Sequence, residues 1–168
     1  MNKDNKLNSN KITRILFVCL GNICRSPAAE GVMKAKVKDR LWPEKHNIDS
    51  AGIGSWHVGE LPDSRMRQHA KKRGYILDSR ARQFKDDDFA KFDYIIVMDE
   101  ENYREISSRA KNDEELGKVL RMRDYFVKFK GQQSVPDPYY GGDEDFELAL
   151  DLIEDGCDGL LAALFENE

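Results

Sequence analysis

Arg14-Ile-Leu-Phe-Val-Cys-Leu20, continued by Gly21-Asn-Ile-Cys-Arg25-Ser26-Pro27, is the stretch on which the reading of this chain turns. Residues 14–20 are an apolar run rich in strand formers, and Gly21-Asn22 stop it, so the run reads as a buried strand feeding a turn. Ser26 then offers a capping hydroxyl. Pro27 suits the first helical position, where its missing N–H costs nothing, and helix is expected from there to about Asp39. Strand, loop and helix in that order open a parallel α/β sheet.

Outward from this unit the same grammar repeats. His46–Ala51 is a weaker strand candidate, and Asp63 caps a helix that Gly74 stops. Tyr94–Met98 reads as another buried strand, with Asp99 capping a helix to about Arg109, and Lys118–Met122 as a last short one. Residues 123–142 form a long loop of the kind usually kept for function. From Asp143 to Phe165, apolar residues at 146, 149, 150, 153, 157, 160, 161, 164 and 165 keep helical spacing, so a terminal helix with one buried stripe is expected. The alternation predicts a doubly wound parallel sheet, with ligands bound outside the carboxyl ends of its strands.

The chain has 168 residues, about one domain's worth. With 40% apolar and 35% charged residues, 12 Gly and 5 Pro, it falls in the globular range and outside the disordered and collagen-like ones. Its longest apolar stretches fall far short of the ~20 residues a bilayer crossing needs. Residues 1–11 contain only Met1 and Leu7 as apolar side chains, so they read as a flexible tail without a secretory signal, leaving 12–168 as one domain. Three cysteines are too few for a disulfide framework and point to a reducing compartment, with the cytoplasm expected. Net charge is −4, yet residues 137–168 hold 11 of the 31 acidic side chains and no basic one, so residues 1–136 carry +7 (27 basic against 20 acidic). An acidic end argues against nucleic-acid binding and reads as a solvated helix face. A monomer is expected.

The chemistry lies at the carboxyl end of the first strand, where Cys19-Leu-Gly-Asn-Ile-Cys-Arg25-Ser26 has the pattern C-x5-R-S. Five residues between Cys19 and Arg25 let the chain curl with its N–H groups inward, and the helix that follows adds its positive end, which makes a cradle for a tetrahedral oxyanion. Gly21 and Asn22 both suit a tight loop with unusual backbone angles. Arg25 supplies a planar fork for two phosphate oxygens. A helix N-terminus and a guanidinium stabilise a thiolate, so Cys19 is placed to attack phosphorus and form a thiophosphate ester that water later hydrolyses. Ser26 can donate to the sulfur and ease its departure. An acid is also needed, and Asp137 in Val135-Pro-Asp-Pro-Tyr-Tyr140 is the candidate, because flanking prolines hold its carboxyl in place on a long loop. Taken by itself, that segment also reads as an ordinary Pro-Asp turn.

FVCLGNICRSPAAEGVM, DSAGIGSWHVG, ARQF, FDYIIVMD and VPDPYYGGDEDFE together make the chain resemble the low molecular weight protein tyrosine phosphatases, roughly from Thr13 to Phe165. The resemblance implies a single-domain α/β fold, a four-stranded parallel sheet with helices on both faces in three layers. It also implies hydrolysis of protein phosphotyrosine with Cys19 as nucleophile, Arg25 as phosphate ligand and Asp137 as general acid, Leu20 to Cys24 with Ser26 completing the phosphate loop. No metal and no cofactor are implied, and phosphotyrosine proteins are the expected partners. By the same resemblance Asn22 and Ser26 join a loop-shaping network with Ser50, while Trp56, Tyr139 and Tyr140 wall a slot deep enough for a phenyl ring. Without the family, those three aromatic residues also read as core packing. Cys24, by resemblance, can trap an oxidised Cys19 as a reversible disulfide, and it also reads as a space-filling loop cysteine. Cys157, in the apolar stripe of the last helix, reads as core. Ser79 stands where some members place a loop-network histidine.

Rival readings are weaker. An arsenate reductase of this fold passes oxidation along further cysteines, and residues 75–100 contain none. A protein-arginine phosphatase has a threonine near the loop centre, where this chain has Ile23. A phosphate-binding module without turnover would not need every chemical group present here. His46, His57 and His69 show no metal-ligand spacing.

Overall fold

The computed structural model describes residues 12–40 and 46–164; the expected tail 1–11 and Phe165 lie outside the described residues. Strand β1 (Thr13–Cys19) is the centre of the architecture. It pairs in parallel with β2 (His46–Gly52) on one side and with β3 (Tyr94–Val97) on the other, and β3 pairs in parallel with β4 (Val119–Arg121). The order is β2-β1-β3-β4. The chain therefore winds outward from β1 to β2 and then returns to the far side of β1. The switch opens a crevice beyond the carboxyl end of β1, where the cysteine loop leaves the sheet.

Alternation along the strands divides the core into two. Ile15, Phe17 and Cys19 face α1 (Arg25–Asp39), α2 (Ser64–Lys72) and the terminal helix α6 (Asp143–Leu164), while Leu16 and Val18 face the layer of α3 (Asp88–Lys91) and α4 (Glu100–Ser108). Both faces of β1 are covered, which is why the run Ile15–Cys19 carries no polar alternation. Among the described residues no helix is long and apolar enough to cross a membrane.

Several element boundaries differ from the sequence reading. Helix α1 begins at Arg25 with Cys24 as its cap residue, and no side chain caps it. The Ser26 hydroxyl is turned toward Cys19 instead, and Pro27 falls at the third helical position, still among the N–H groups that a helix leaves unpaired. Asp63 and Asp99 cap α2 and α4 as expected. The long loop after β4 opens with a 3-10 turn, Met122–Tyr125, and α5 (Asp113–Gly117) precedes β4; neither has a hydrophobic repeat long enough to read.

That 3-10 turn and the segment after it are fastened to α6. The buried Asp155 carboxylate accepts the backbone N–H groups of Val127, Lys128 and Phe129 at 3.0–3.1 Å. Gly159 lets the turn approach the helix, since a Cβ there would lie 1.8 Å from the Tyr125 carbonyl oxygen. Helix propensity would favour Ala over Gly by about 1 kcal/mol, but the clash is with backbone that cannot swing aside. Gly159→Ala is expected to destabilise the fold by about 2–3 kcal/mol net, read as a lower urea midpoint at unchanged slope. An equal or higher midpoint would contradict this packing.

Candidate active site

Cys19 is the last residue of β1 and Arg25 the first of α1, so the C-x5-R spacing is the path from strand to helix. Asn22 takes a positive φ of 57°, as its residue type allows. Its side chain then holds the loop from behind: Oδ1 accepts the Arg82 N–H at 3.0 Å, while Nδ2 donates to Ser26 Oγ at 2.7 Å and to Ser50 Oγ at 2.9 Å. Ser50 passes its own hydrogen to the buried Glu30 at 2.6 Å, and Lys34 closes that chain from the surface. Cys19 Sγ lies 3.1 Å from Ser26 Oγ and accepts the Ser26 N–H at 3.4 Å. Gly21 does not use the left-handed backbone anticipated for it. It packs closely against the His57 ring instead, since a Cβ there would stand 3.2 Å from His57 Cδ2, tighter than an ordinary contact.

Arg25 is 2% exposed and held from two sides, its Nη1 donating to Asp99 Oδ2 at 2.7 Å and to the Val135 carbonyl at 3.0 Å. Its Nη2 lies 3.7 Å from Asp137 Oδ2, and its Nε is buried without an acceptor. Burial by itself would pull the guanidinium down, but Cys19, Asp99 and Asp137 outweigh it and hold Arg25 above its ordinary value.

A cavity of about 320 Å³ opens over this arrangement, lined by Cys19, Cys24, Arg25, Trp56, Asp137 and the Tyr139-Tyr140 pair together with Leu20, Gly21 and Ile23. The two tyrosine rings meet edge to face, 4.9 Å apart, and Tyr140 is 95% exposed at the rim. Asp137 Oδ1 accepts the Tyr139 N–H at 3.1 Å, which turns the carboxyl inward from its proline-flanked loop. Burial, followed by the fields of Asp63, Cys19 and Asp137, pushes the Cys24 thiol far up, so Cys24 is a neutral thiol beside the cavity.

The family model for low molecular weight phosphotyrosine protein phosphatase matches residues 14–168. This chain belongs to that family. A Synechocystis sp. relative bearing the low molecular weight protein-tyrosine-phosphatase name is 51% identical over 151 residues, 90% of this chain and 96% of that one. A protein tyrosine phosphatase from Entamoeba histolytica, solved with Hepes in its active site, superposes with a TM-score of 0.89 at 46% identity, covering 92% of this chain and 98% of its own. A Drosophila arginine phosphatase superposes at 0.84 with 32% identity, covering 92% and 99%.

In this phosphatase, then, the structure brings together every residue that the sequence reading placed in the pocket, with Asn22, Ser26 and Ser50 behind the loop. Cys157 is core, as read, its Sγ 3.9 Å from the Ala29 carbonyl. Ser79 supplies none of the network's bonds; Glu30, one helical turn beyond Ser26, takes the end position. Glu30, His57, Arg65 and Asp99 as an Arg25 partner were not anticipated. His57 carried a signal in its place beside Trp56, and Asp99 showed only its capping role.

Asp63 ties α2 to both loops of the candidate site. Its carboxylate caps α2 and takes a fork from Arg65, its N–H donates to the Ile23 carbonyl at 2.8 Å, and Arg65 reaches on to the Tyr139 carbonyl at 2.9 Å. Burial raises the Asp63 carboxyl, but the Arg65 side chain and the Arg65 and Met66 amides outweigh it and hold it below its ordinary value of 3.8. A carboxyl so held stabilises the fold above that pH, and the contribution disappears as acid protonates it. Asp63→Asn keeps a capping side chain and removes the charge, so its unfolding free energy should vary less between about pH 5 and pH 2 than that of the parent. Parallel pH profiles for the two chains would refute this role.

Proposed function

We propose that this phosphatase hydrolyses protein phosphotyrosine, and small aryl phosphates, through a cysteinyl-phosphate intermediate. The observation that carries the reading is the state of Arg25, a buried guanidinium that lines the cavity beside Cys19 and keeps its Nε without an acceptor. A buried donor left unpaired costs free energy, and a phosphoryl oxygen removes that cost. The Hepes held by the Entamoeba relative carries a sulfonate, which is also a tetrahedral oxyanion.

In the first step Cys19 Sγ forms a bond to phosphorus as the aryl oxygen leaves, and Asp137 gives that oxygen its proton. In the second, water attacks phosphorus, Asp137 takes a proton from it, and the S–P bond breaks with Ser26 donating to the departing sulfur. Arg25 and the amides of Leu20–Cys24 hold the equatorial oxygens through both steps. Trp56, Tyr139 and Tyr140 give the ring an aromatic slot. Cys24 is the thiol that would condense with a Cys19 sulfenic acid, releasing water and forming a disulfide after peroxide exposure.

The Drosophila relative's arginine phosphatase name favours a second reading, phosphoarginine hydrolysis. Ile23, an apolar side chain lining the cavity, supports the aryl substrate instead. Hydrolysis of p-nitrophenyl phosphate, a phosphotyrosine peptide and a phosphoarginine peptide, each with excess chelator, separates the readings. The expected result is turnover of the first two, lost in Cys19→Ser. Asp137→Ala is expected to slow phenyl phosphate by about 10²–10⁴-fold, to slow dinitrophenyl phosphate far less, and to accumulate phosphoenzyme. Full activity in Cys19→Ser would end this mechanism, and preference for the phosphoarginine peptide would move the substrate to the second reading.

A further inference from the structure

His57 has no part in the chemistry above, yet it lines the same cavity. Its ring lies along Gly21 of the phosphate loop: a Cβ on Gly21 would be 3.2 Å from Cδ2 and 3.9 Å from Nε2. On its own turn, Nδ1 stands 2.7 Å from Glu60 Oε2, and the Glu60 N–H returns to the His57 carbonyl at 2.9 Å. On the acid loop, the Tyr139 ring tilts against it at 6.3 Å. Because an ionised carboxylate only accepts, Nδ1 is the donor to Glu60, which leaves Nε2 as the ring nitrogen open to a ligand. Glu60 is 59% exposed and screened by water, whereas the imidazole side chain is 28% exposed at the cavity wall.

The balance of charge gives this placement a purpose. Among the described residues lining the cavity, Arg25 and His57 are the two that can carry positive charge. Arg25 already answers Asp99, and Cys19 adds a negative charge when ionised, while Asp137, holding its proton as the acid, adds none. A dianionic phosphoryl group therefore meets side-chain positive charge that is matched before it arrives. We propose that His57, oriented by Glu60, is a second anion-binding side chain of the pocket, its imidazolium Nε2–H meeting an anionic group of the substrate at the Gly21 edge of the loop. The inference rests on the phosphatase reading for the identity of that substrate. Two sources share the chemistry: the phosphoryl oxygens themselves, or the carboxylate of an acidic residue next to the phosphotyrosine.

The test compares the parent with His57→Asn, His57→Lys and Glu60→Gln, on p-nitrophenyl phosphate and on two phosphotyrosine peptides differing by Glu or Gln beside the phosphotyrosine. His57→Asn is expected to raise KM by about tenfold, the worth of one charge-assisted hydrogen bond, with the effect on KM rather than kcat. Glu60→Gln, which loosens the ring, should raise KM by less. His57→Lys keeps a cation and should restore most of the affinity. A rise on all three substrates assigns the anion to the phosphoryl group, and a rise on the Glu peptide alone assigns it to the neighbouring carboxylate.

Binding separates this idea from the catalytic one. In a Cys19→Ser background, calorimetry with inorganic phosphate and with the Glu-containing phosphopeptide needs no turnover, so an inert parent would sink the phosphatase reading and leave His57 to be judged here. Weaker binding of either ligand after His57→Asn supports the proposal. Unchanged affinity for both, or a Lys variant no better than Asn, overturns it.

Discussion

A guanidinium buried at the base of the crevice holds the parts of this molecule in register. Arg25 joins the first turn of α1 to Asp99, the cap of α4 two residues beyond β3, and to Val135, on the long loop after β4. Taking a cation out of water is costly unless hydrogen bonds of good geometry replace the solvent, and here they come from elements far apart in sequence. Val135 completes the joint, its N–H donating to the Met98 carbonyl while its own carbonyl accepts from Arg25. The loop bearing Asp137 is thereby pinned to the carboxyl edge of the sheet two residues before the carboxyl group it presents.

The Asn22 amide does for the back of the cysteine loop what Arg25 does for the base of the cavity. Its carbonyl oxygen is committed to the Arg82 N–H, so both of its hydrogens must go to the hydroxyls of Ser26 and Ser50. Ser50 is then left to donate to Glu30. Buried polar groups this fully engaged give the loop one shape instead of several. Asp63 and Arg65 extend the same order outward, linking the Ile23 carbonyl to that of Tyr139 and so fixing the spacing between the cavity's walls.

What could be read from the sequence was what local physics decides. The strand before Cys19 shows in its unbroken apolar run, the spacing from Cys19 to Arg25 shows the cradle, and Asp63 and Asp99 show as caps because capping is a short-range preference. The start of α1 differs from the sequence reading by two residues, since Ser26 looks like a cap until its hydroxyl finds a better partner across the loop. Gly21 reads as a source of backbone freedom, but its backbone is not left-handed and it lies close against the ring of His57. Glu30, Asp99 and His57 act through partners brought near by β-strand pairing and loop docking, and no local pattern encodes such pairings. The resemblance to the family named Ser50 in the loop network but not Glu30, to which Ser50 donates.

One consequence follows from the two neighbours of the Ser26 hydroxyl, Cys19 Sγ at 3.1 Å and the Ala51 carbonyl at 3.4 Å. Asn22 already occupies one lone pair of Ser26 Oγ, so the hydroxyl hydrogen has two destinations. While the sulfur is a thiol, S–H donates to Ser26 Oγ and the hydroxyl hydrogen swings to Ala51; once the sulfur is an anion, the hydrogen swings back to it. Ser26 is thus a rotor whose position reports the charge on the Cys19 sulfur. It matches each state with a full set of bonds, without moving a heavy atom.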